Sequence, residues 1–192
     1  MLDKILIIDN FLHVNIANKI RQEAIDAKYI DWLGHDGQVY KRISIVDNQD
    51  IRDTIEKHCG KVDMLGMAFR LNYEGEEPNQ SIHTDVGWGT HALVLYLNDG
   101  PSGTAFWKHK PSGKDRLNPH DLMTYSSVRK DWTDESKWEQ IDFVPMIFNR
   151  GIIYESELFH SRWPFKAFGS MPEDSRLIAV AFFTPTGERI MS

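Results

Sequence analysis

Arg176-Leu177-Ile178-Ala179-Val180-Ala181-Phe182-Phe183 is a run of apolar residues headed by one arginine. After its first residue it is apolar on both faces. A half-exposed strand alternates apolar and polar side chains, so this run reads as a strand covered on both sides. One cover is the interior of a β-structure and the other is a layer of helices.

The surrounding sequence supplies both. Lys4 to Ile8 reads as a short buried strand, broken by Asp9-Asn10. A helix is expected over about 15–28, with Asn15 as its N-cap and Ile16, Ile20, Ala24 and Ala27 at helical spacing. Residues 31–40, with Trp32, Gly34, His35 and Gly37, read as a loop with some strand at its end. Asp47-Asn48-Gln49-Asp50 opens a second helix whose inner face carries Ile51 and Ile55, and Cys59-Gly60 stops it. Strand-like segments then follow at 67–73, 91–98, 103–108, 141–148, 151–155, 160–165 and 176–183. Glu74 to Asn79 is a turn-rich connection between two of them, read as solvated and without a catalytic role. Residues 110–140 are long, polar and mixed, with a possible helix near 119–129. They read as an insertion with a function or structure of its own. About seven or eight strands with turn signals between them predict a β-sandwich or jelly roll, with helices packed on one sheet.

The 192 residues amount to one domain, and 41% hydrophobic content suffices for a sizeable core. There is no apolar run long enough to cross a membrane. An acid at position 3 and an apolar run of four argue against a signal peptide. One cysteine, Cys59, excludes an internal disulfide framework and suits a reducing, cytoplasmic setting. A net charge of −6 argues against nucleic-acid binding, which depends on neutralising phosphates.

Chemistry concentrates in Ser81-Ile82-His83-Thr84-Asp85-Val86. In an extended segment His83 and Asp85 point one way and Thr84 the other. A third partner is available in His160, within Leu158-Phe159-His160-Ser161-Arg162-Trp163-Pro164. Two imidazoles and a carboxylate form the facial triad that holds non-haem Fe(II) and leaves positions open. Arg176 heads the buried strand, and a buried guanidinium needs an anion, for which its planar fork suits a carboxylate. Each residue also has an ordinary reading. His83 and Asp85 form a plain Asp–His pair beside a turn, His160 is a strand-end histidine, and Tyr73 is a core aromatic. Arg176 makes a surface ion pair with Asp174 or Glu173, worth under about 1 kcal/mol. His91 is the alternative ligand. His109 and His120 flank the insertion and read as solvated, while His13, His35 and His58 read as unrelated to the site. Core packing accounts for Trp88, Trp107 and Trp163, with at least one expected at a substrate mouth. Trp132 and Trp138 read as a satellite cluster, or else as a lid.

The order Tyr73-Glu74-Gly75, His83-Thr84-Asp85, Gly103-Thr104-Ala105-Phe106, Asn149-Arg150-Gly151, His160, Arg176 resembles the 2-oxoglutarate- and Fe(II)-dependent dioxygenases, and most of all their prolyl 4-hydroxylase-like branch. The resemblance covers roughly residues 61–183. It implies a double-stranded β-helix (jelly roll) core over 61–183, with residues 1–60 as helical support on the major sheet. It implies His83, Asp85 and His160 as iron ligands. Arg176 would pair with the distal carboxylate of 2-oxoglutarate, and Tyr73 and Asn72 would bind a co-substrate carboxylate. The implied activity is hydroxylation of a C–H bond of a peptidyl or small-molecule substrate, using Fe(II), 2-oxoglutarate and O2, with ascorbate as an accessory, and releasing succinate and CO2. One departure is the distance of Arg176 from His160. It leaves Arg162 and Lys166 as rivals for the carboxylate role, with 166–174 as an inserted hairpin loop. A cupin-like jelly roll without catalysis, and a metal-dependent isomerase or oxygenase that needs no 2-oxo acid, are the competing readings.

Overall fold

The computed structural model describes residues 5–34, 39–76, 82–118 and 121–187. Lys4, His35, Gly37, Glu77, Pro78, Asn79, Ser81 and His120, all named above, lie outside the described residues. Ten strands and three α-helices are described: β1 (Ile5–Ile8), α1 (Val14–Ile25), β2 (Ile30–Leu33), β3 (Val39–Ile45), α2 (Gln49–Cys59), β4 (Val62–Asn72), β5 (His91–Tyr96), β6 (Gly103–His109), α3 (Leu122–Asp131), β7 (Trp138–Pro145), β8 (Gly151–Glu155), β9 (His160–Trp163) and β10 (Arg176–Pro185). A seven-stranded sheet runs β1-β8-β5-β10-β4-β3-β2, and a three-stranded one runs β7-β6-β9. Every pairing is antiparallel.

The run that opened the sequence reading is the middle strand, bonded to β4 on one side and β5 on the other. Its two faces do different work. Leu177, Ala179, Ala181 and Phe183 join Met67, Phe69 and Leu71 of β4 and Leu93 and Leu95 of β5 in one buried cluster. That cluster is closed by Ala17, Ile20 and Ala24 of α1 and Ile51 and Ile55 of α2. Burying a side chain such as Ile20, Ile51 or Ile55 stabilises by about 1.5–3 kcal/mol. The alternate residues Ile178, Val180 and Phe182 face a cavity instead.

Both helices near the N-terminus exist; α1 starts one residue before the expected 15 and ends three before the expected 28, and α2 opens within the expected stretch. Helix α1 is capped by His13, whose Nδ1 accepts from the Asn15 N–H at 3.4 Å, so Asn15 is not the cap. Asn48 caps α2 through the Ile51 N–H at 3.1 Å, and Gly60, at φ 75°, ends it. The first 60 residues are more than helical support, because β1, β2 and β3 all belong to the large sheet. Within 31–40 the strand expected at the end is the start of β3, while β2 escaped a strand reading because Ile30 and Leu33 are exposed, which blurs the apolar alternation.

Asn149-Arg150-Gly151 is a clamp on the chain between β1 and α1. The Leu12 N–H donates to Asn149 Oδ1 at 2.9 Å, and Asn149 Nδ2 donates to the Leu12 carbonyl at 2.7 Å. Asn149 sits at φ 61°, a left-handed conformation that asparagine tolerates better than most residues. Arg150 forks onto Asp9 at 2.6 and 3.0 Å. A Cβ on Gly151 would lie 2.5 Å from the Phe11 ring. Replacing Asn149 with alanine strands two buried backbone groups and strains the turn. The expected loss is about 2–4 kcal/mol in urea unfolding, with the metal site intact.

Candidate metal centre

His83 and His160 are brought together by backbone. The His83 N–H donates to the His160 carbonyl at 3.0 Å, and the His160 N–H returns a bond to the His83 carbonyl at 2.9 Å. Residues paired this way in an antiparallel bridge put their side chains on one face, so the two rings lie 4.4 Å apart between centroids. On the other side of β9, Phe106 stands opposite His160. Two residues on, the Asp85 N–H bonds to the Ser156 carbonyl at 2.9 Å and turns the carboxylate to the same place. The extended reading of this stretch is too simple, since Thr84 also borders the cavity.

The three ligand atoms lie within 4.8 Å of one another. His160 Nε2 is 3.2 Å from Asp85 Oδ2, and His83 Nε2 is 3.9 Å from Asp85 Oδ1. Two donors about 2.1 Å from one cation and at right angles stand about 3 Å apart, so the spacing suits a single ion. His160 Nδ1 is occupied by the Leu158 carbonyl at 2.9 Å, which leaves Nε2 as the ligand nitrogen. Tyr154 donates to Asp85 Oδ2 at 3.2 Å. Burial holds the Tyr154 phenol well above its ordinary value, and Asp85 adds to that, so the hydroxyl stays a donor. Burial pushes the Asp85 carboxyl up, but the His160 imidazole overrides it and holds the group below its usual range. Burial likewise pulls His160 down, and Asp85 more than compensates, leaving it above an ordinary histidine.

Arg176 lies on the same cavity, 5% exposed, at the end of the sheet's inner face. Burial pulls its guanidinium down to about 10. Among the described residues its nearest acceptor is Asn72 Oδ1 at 3.4 Å, and its Nε has no partner. A buried guanidinium with one long hydrogen bond is costly for the fold and electrostatically suited to an anion. Asn72 sits opposite Arg176 across the β10–β4 pair, and both line the cavity. Tyr73 does not join them. It packs against the helix-side core under the Arg42 guanidinium, 4.5 Å from its ring, and does not line the cavity. The reason is alternation, since neighbours on one strand face opposite sides. Of the rivals, Arg162 lines the cavity with its Nη2 on the Phe165 carbonyl, whereas Lys166 is exposed and outside it.

Glu76 corrects the solvated-turn reading. Its side chain is 7% exposed, lines the cavity, accepts from Asn72 Nδ2 at 2.9 Å and pairs with Arg42. Arg42 reaches it from a left-handed backbone, φ 51°, where the β2–β3 register shifts. A turn rich in acids gives no sequence signal for which one folds inward. Tyr154 was also missed, and its signal was a hydroxyl-bearing ring inside an apolar strand.

The cavity measures about 680 Å³. Helix α3 of the insertion roofs it with Tyr125, Val128, Arg129 and, just beyond the helix, Trp132. Trp132 also accepts from the Ile82 N–H at 3.2 Å, tying the roof to the residue before the first ligand. The two tryptophans of the insertion therefore divide. Trp132 lines the cavity, and Trp138 packs in a satellite core with Trp107 and Phe159. Trp88 is the predicted tryptophan at the mouth. His91 bonds to Thr90 and lies outside the cavity. His109 is not solvated but fully buried, held between Ser112 at 2.9 Å and Asp131 at 3.0 Å.

A family model described as "Family of unknown function (DUF6445)" matches residues 78–183, just over half of the chain. No curated protein matches it. Among solved structures, the non-heme alpha ketoglutarate dependent epimerase SnoN from nogalamycin biosynthesis superposes with a TM-score of 0.56 at 13% identity, covering 94% of this chain and 77% of that one. A second SnoN structure holds Fe3+, alpha ketoglutarate and nogalamycin RO. HygX from Streptomyces hygroscopicus, with nickel, 2-oxoglutarate and hygromycin B bound, scores 0.54 at 10% identity over all of this chain and 86% of that one. The collagen prolyl hydroxylase vCPH of Paramecium Bursaria Chlorella virus-1 scores 0.51 at 12% identity, covering 94% and 88%. The chain thus shares the fold of non-heme 2-oxoglutarate enzymes, with no preference for the prolyl hydroxylase among them.

A metal must displace the proton from His160 Nε2, and that proton is held more tightly than in a free histidine. Mn(II) affinity, measured by calorimetry, should therefore fall up to about ten-fold per pH unit below the raised His160 value and level off above it. Removing the Tyr154 hydroxyl in Tyr154→Phe should weaken Mn(II) by about ten-fold at neutral pH.

Proposed function

The chain belongs to the DUF6445 family of unknown function, and from there we propose that it is a 2-oxoglutarate- and Fe(II)-dependent oxygenase, hydroxylating a C–H bond of a small-molecule or peptidyl substrate and releasing succinate and CO2. One observation carries this reading. His83, Asp85 and His160 converge on one cavity that also holds the buried, unneutralised Arg176. A metal site alone fits many proteins, and a metal site with a facing carboxylate receptor fits a chelating dicarboxylate. In this reading the core is a double-stranded β-helix in a single domain, α1 and α2 back its larger sheet, and 110–140 is an insertion. Motif order favours the prolyl 4-hydroxylase-like branch. Among the described residues no helix is long and apolar enough to cross a membrane, and the one cysteine is free, which suits the cytoplasm.

His83, Asp85 and His160 would hold the iron. When bound, iron and 2-oxoglutarate supply the oxidising power, by coupling O2 reduction to decarboxylation. The chain's residues supply position. Leu158 and Tyr154 fix the His160 ring and the Asp85 carboxylate. Arg176, with Asn72 beside it, receives the distal carboxylate. Ile178, Val180 and Phe182 keep the floor apolar and exclude water.

In a succinate assay with Fe(II), ascorbate and 2-oxoglutarate, wild-type protein is expected to turn over slowly without a prime substrate. His83→Ala should abolish that signal, and Arg176→Gln should raise the 2-oxoglutarate KM at least about ten-fold. Undiminished turnover in His83→Ala rejects the enzyme. Absence of any 2-oxoglutarate heat in the Mn(II)-loaded protein favours a non-catalytic jelly-roll binding protein instead.

A further inference from the structure

The chain is acidic overall, with a net charge of −6, yet its cavity is basic. Among the described residues the lining carries four arginines, Arg70, Arg129, Arg162 and Arg176, against two carboxylates. One carboxylate, Asp85, belongs to the metal triad, and the other, Glu76, is paired with Arg42. A divalent cation and a dicarboxylate cancel each other, as do Asp85 and Arg176 and Glu76 and Arg42, so the described lining keeps an excess of positive charge. Such a cleft concentrates anions.

Arg70 is the most placed of the three besides Arg176. It stands on the inner face of β4, opposite Ile178 of β10 and Ile43 of β3. Its Nε is buried with no hydrogen-bond partner, and its guanidinium carbon lies 5.7 Å from the centre of the Tyr40 ring. No described carboxylate pairs with it. From Tyr40 an aromatic wall continues along the cavity. Trp32 is 6.3 Å from Tyr40, Trp88 is 5.5 Å from Trp32, and Phe182 is 5.7 Å from Trp88, between ring centroids. All four rings line the cavity. Such a wall binds a flat ring by its face.

We propose that the substrate is a small organic anion carrying a flat ring, its acidic group paired with Arg70 and its ring against Tyr40, Trp32, Trp88 and Phe182. The proposal rests on the oxygenase reading of the same cavity. The volume of about 680 Å³ admits one molecule of modest size.

Two isosteric probes separate charge from shape: 2-naphthoate and its neutral counterpart 2-naphthamide. Each is titrated into protein loaded with Mn(II) and 2-oxoglutarate, and tryptophan fluorescence is read. Naphthoate is expected to bind at least about ten-fold tighter than the amide. That preference should vanish in Arg70→Gln and return to within about three-fold of wild type in Arg70→Lys. Equal affinity for both probes in wild type overturns the proposal, as does an undiminished preference in Arg70→Gln. Should Arg70→Gln fail to fold by circular dichroism, Trp32→Ala serves. Both probes should weaken together by about ten-fold, and unchanged binding removes the ring site. Calorimetry of 2-oxoglutarate on the protein loaded with Mn(II) alone, with and without naphthoate, keeps the two ideas apart. A missing 2-oxoglutarate heat sinks the oxygenase reading while the probe preference stays measurable. A naphthoate that expels 2-oxoglutarate makes Arg70 part of the 2-oxo acid's own site and overturns the proposal.

Discussion

Two reciprocal backbone hydrogen bonds between His83 and His160 hold this protein's chemistry in place. They join the segment after the acidic turn to the edge of the small sheet, and so fix two imidazoles on one face before any ligand arrives. Side-chain partners then settle what the backbone leaves open. The Leu158 carbonyl selects the His160 tautomer, and Tyr154 steers Asp85. Ordering entropy that a loose site loses on binding is already spent here during folding. The triad's surroundings are rigid for the same reason, since Tyr154, Phe106 and His160 are all buried in contact.

The large sheet works as a partition. One face of β10 is packed by α1 and α2, and the other is the floor of the cavity. Because strand side chains alternate, each contribution to the floor is matched by one to the core, and the site cannot drift without disturbing the packing. Arg176 is where this arrangement costs stability. A guanidinium buried at the sheet's inner end is unfavourable until an anion meets it.

Much of this was legible in the sequence, for physical reasons. The helices and the buried strand follow from short-range periodicity, and His83 with Asp85 from alternation, whereas His160 joins them through residue type and the motif order of the family resemblance. The ten strands exceed the expected seven or eight by β2 and β3, where Ile30, Leu33, Val39 and Ile45 are exposed and hide the alternation. Tyr73 was assigned by motif order, yet it sits next to Asn72 on β4's continuation and faces the core instead. Glu76 and Arg70 stayed hidden because nothing local says that an acid in an acidic turn, or a single arginine within a strand, will face inward. Arg70 is placed by register with Ile178, over a hundred residues away, and Glu76 by the Arg42 and Asn72 side chains that meet it.

The hydrogen bond from Ile82 to Trp132 has an implication for how the family's members can diverge. The same short piece of chain that lines the cavity also holds the residue beside His83, the first member of the candidate triad. A relative with a different roof would have to find another acceptor for that amide, or let the histidine loosen. The cavity roof and the candidate triad are thus coupled through one backbone bond, so a change to the roof is felt at His83.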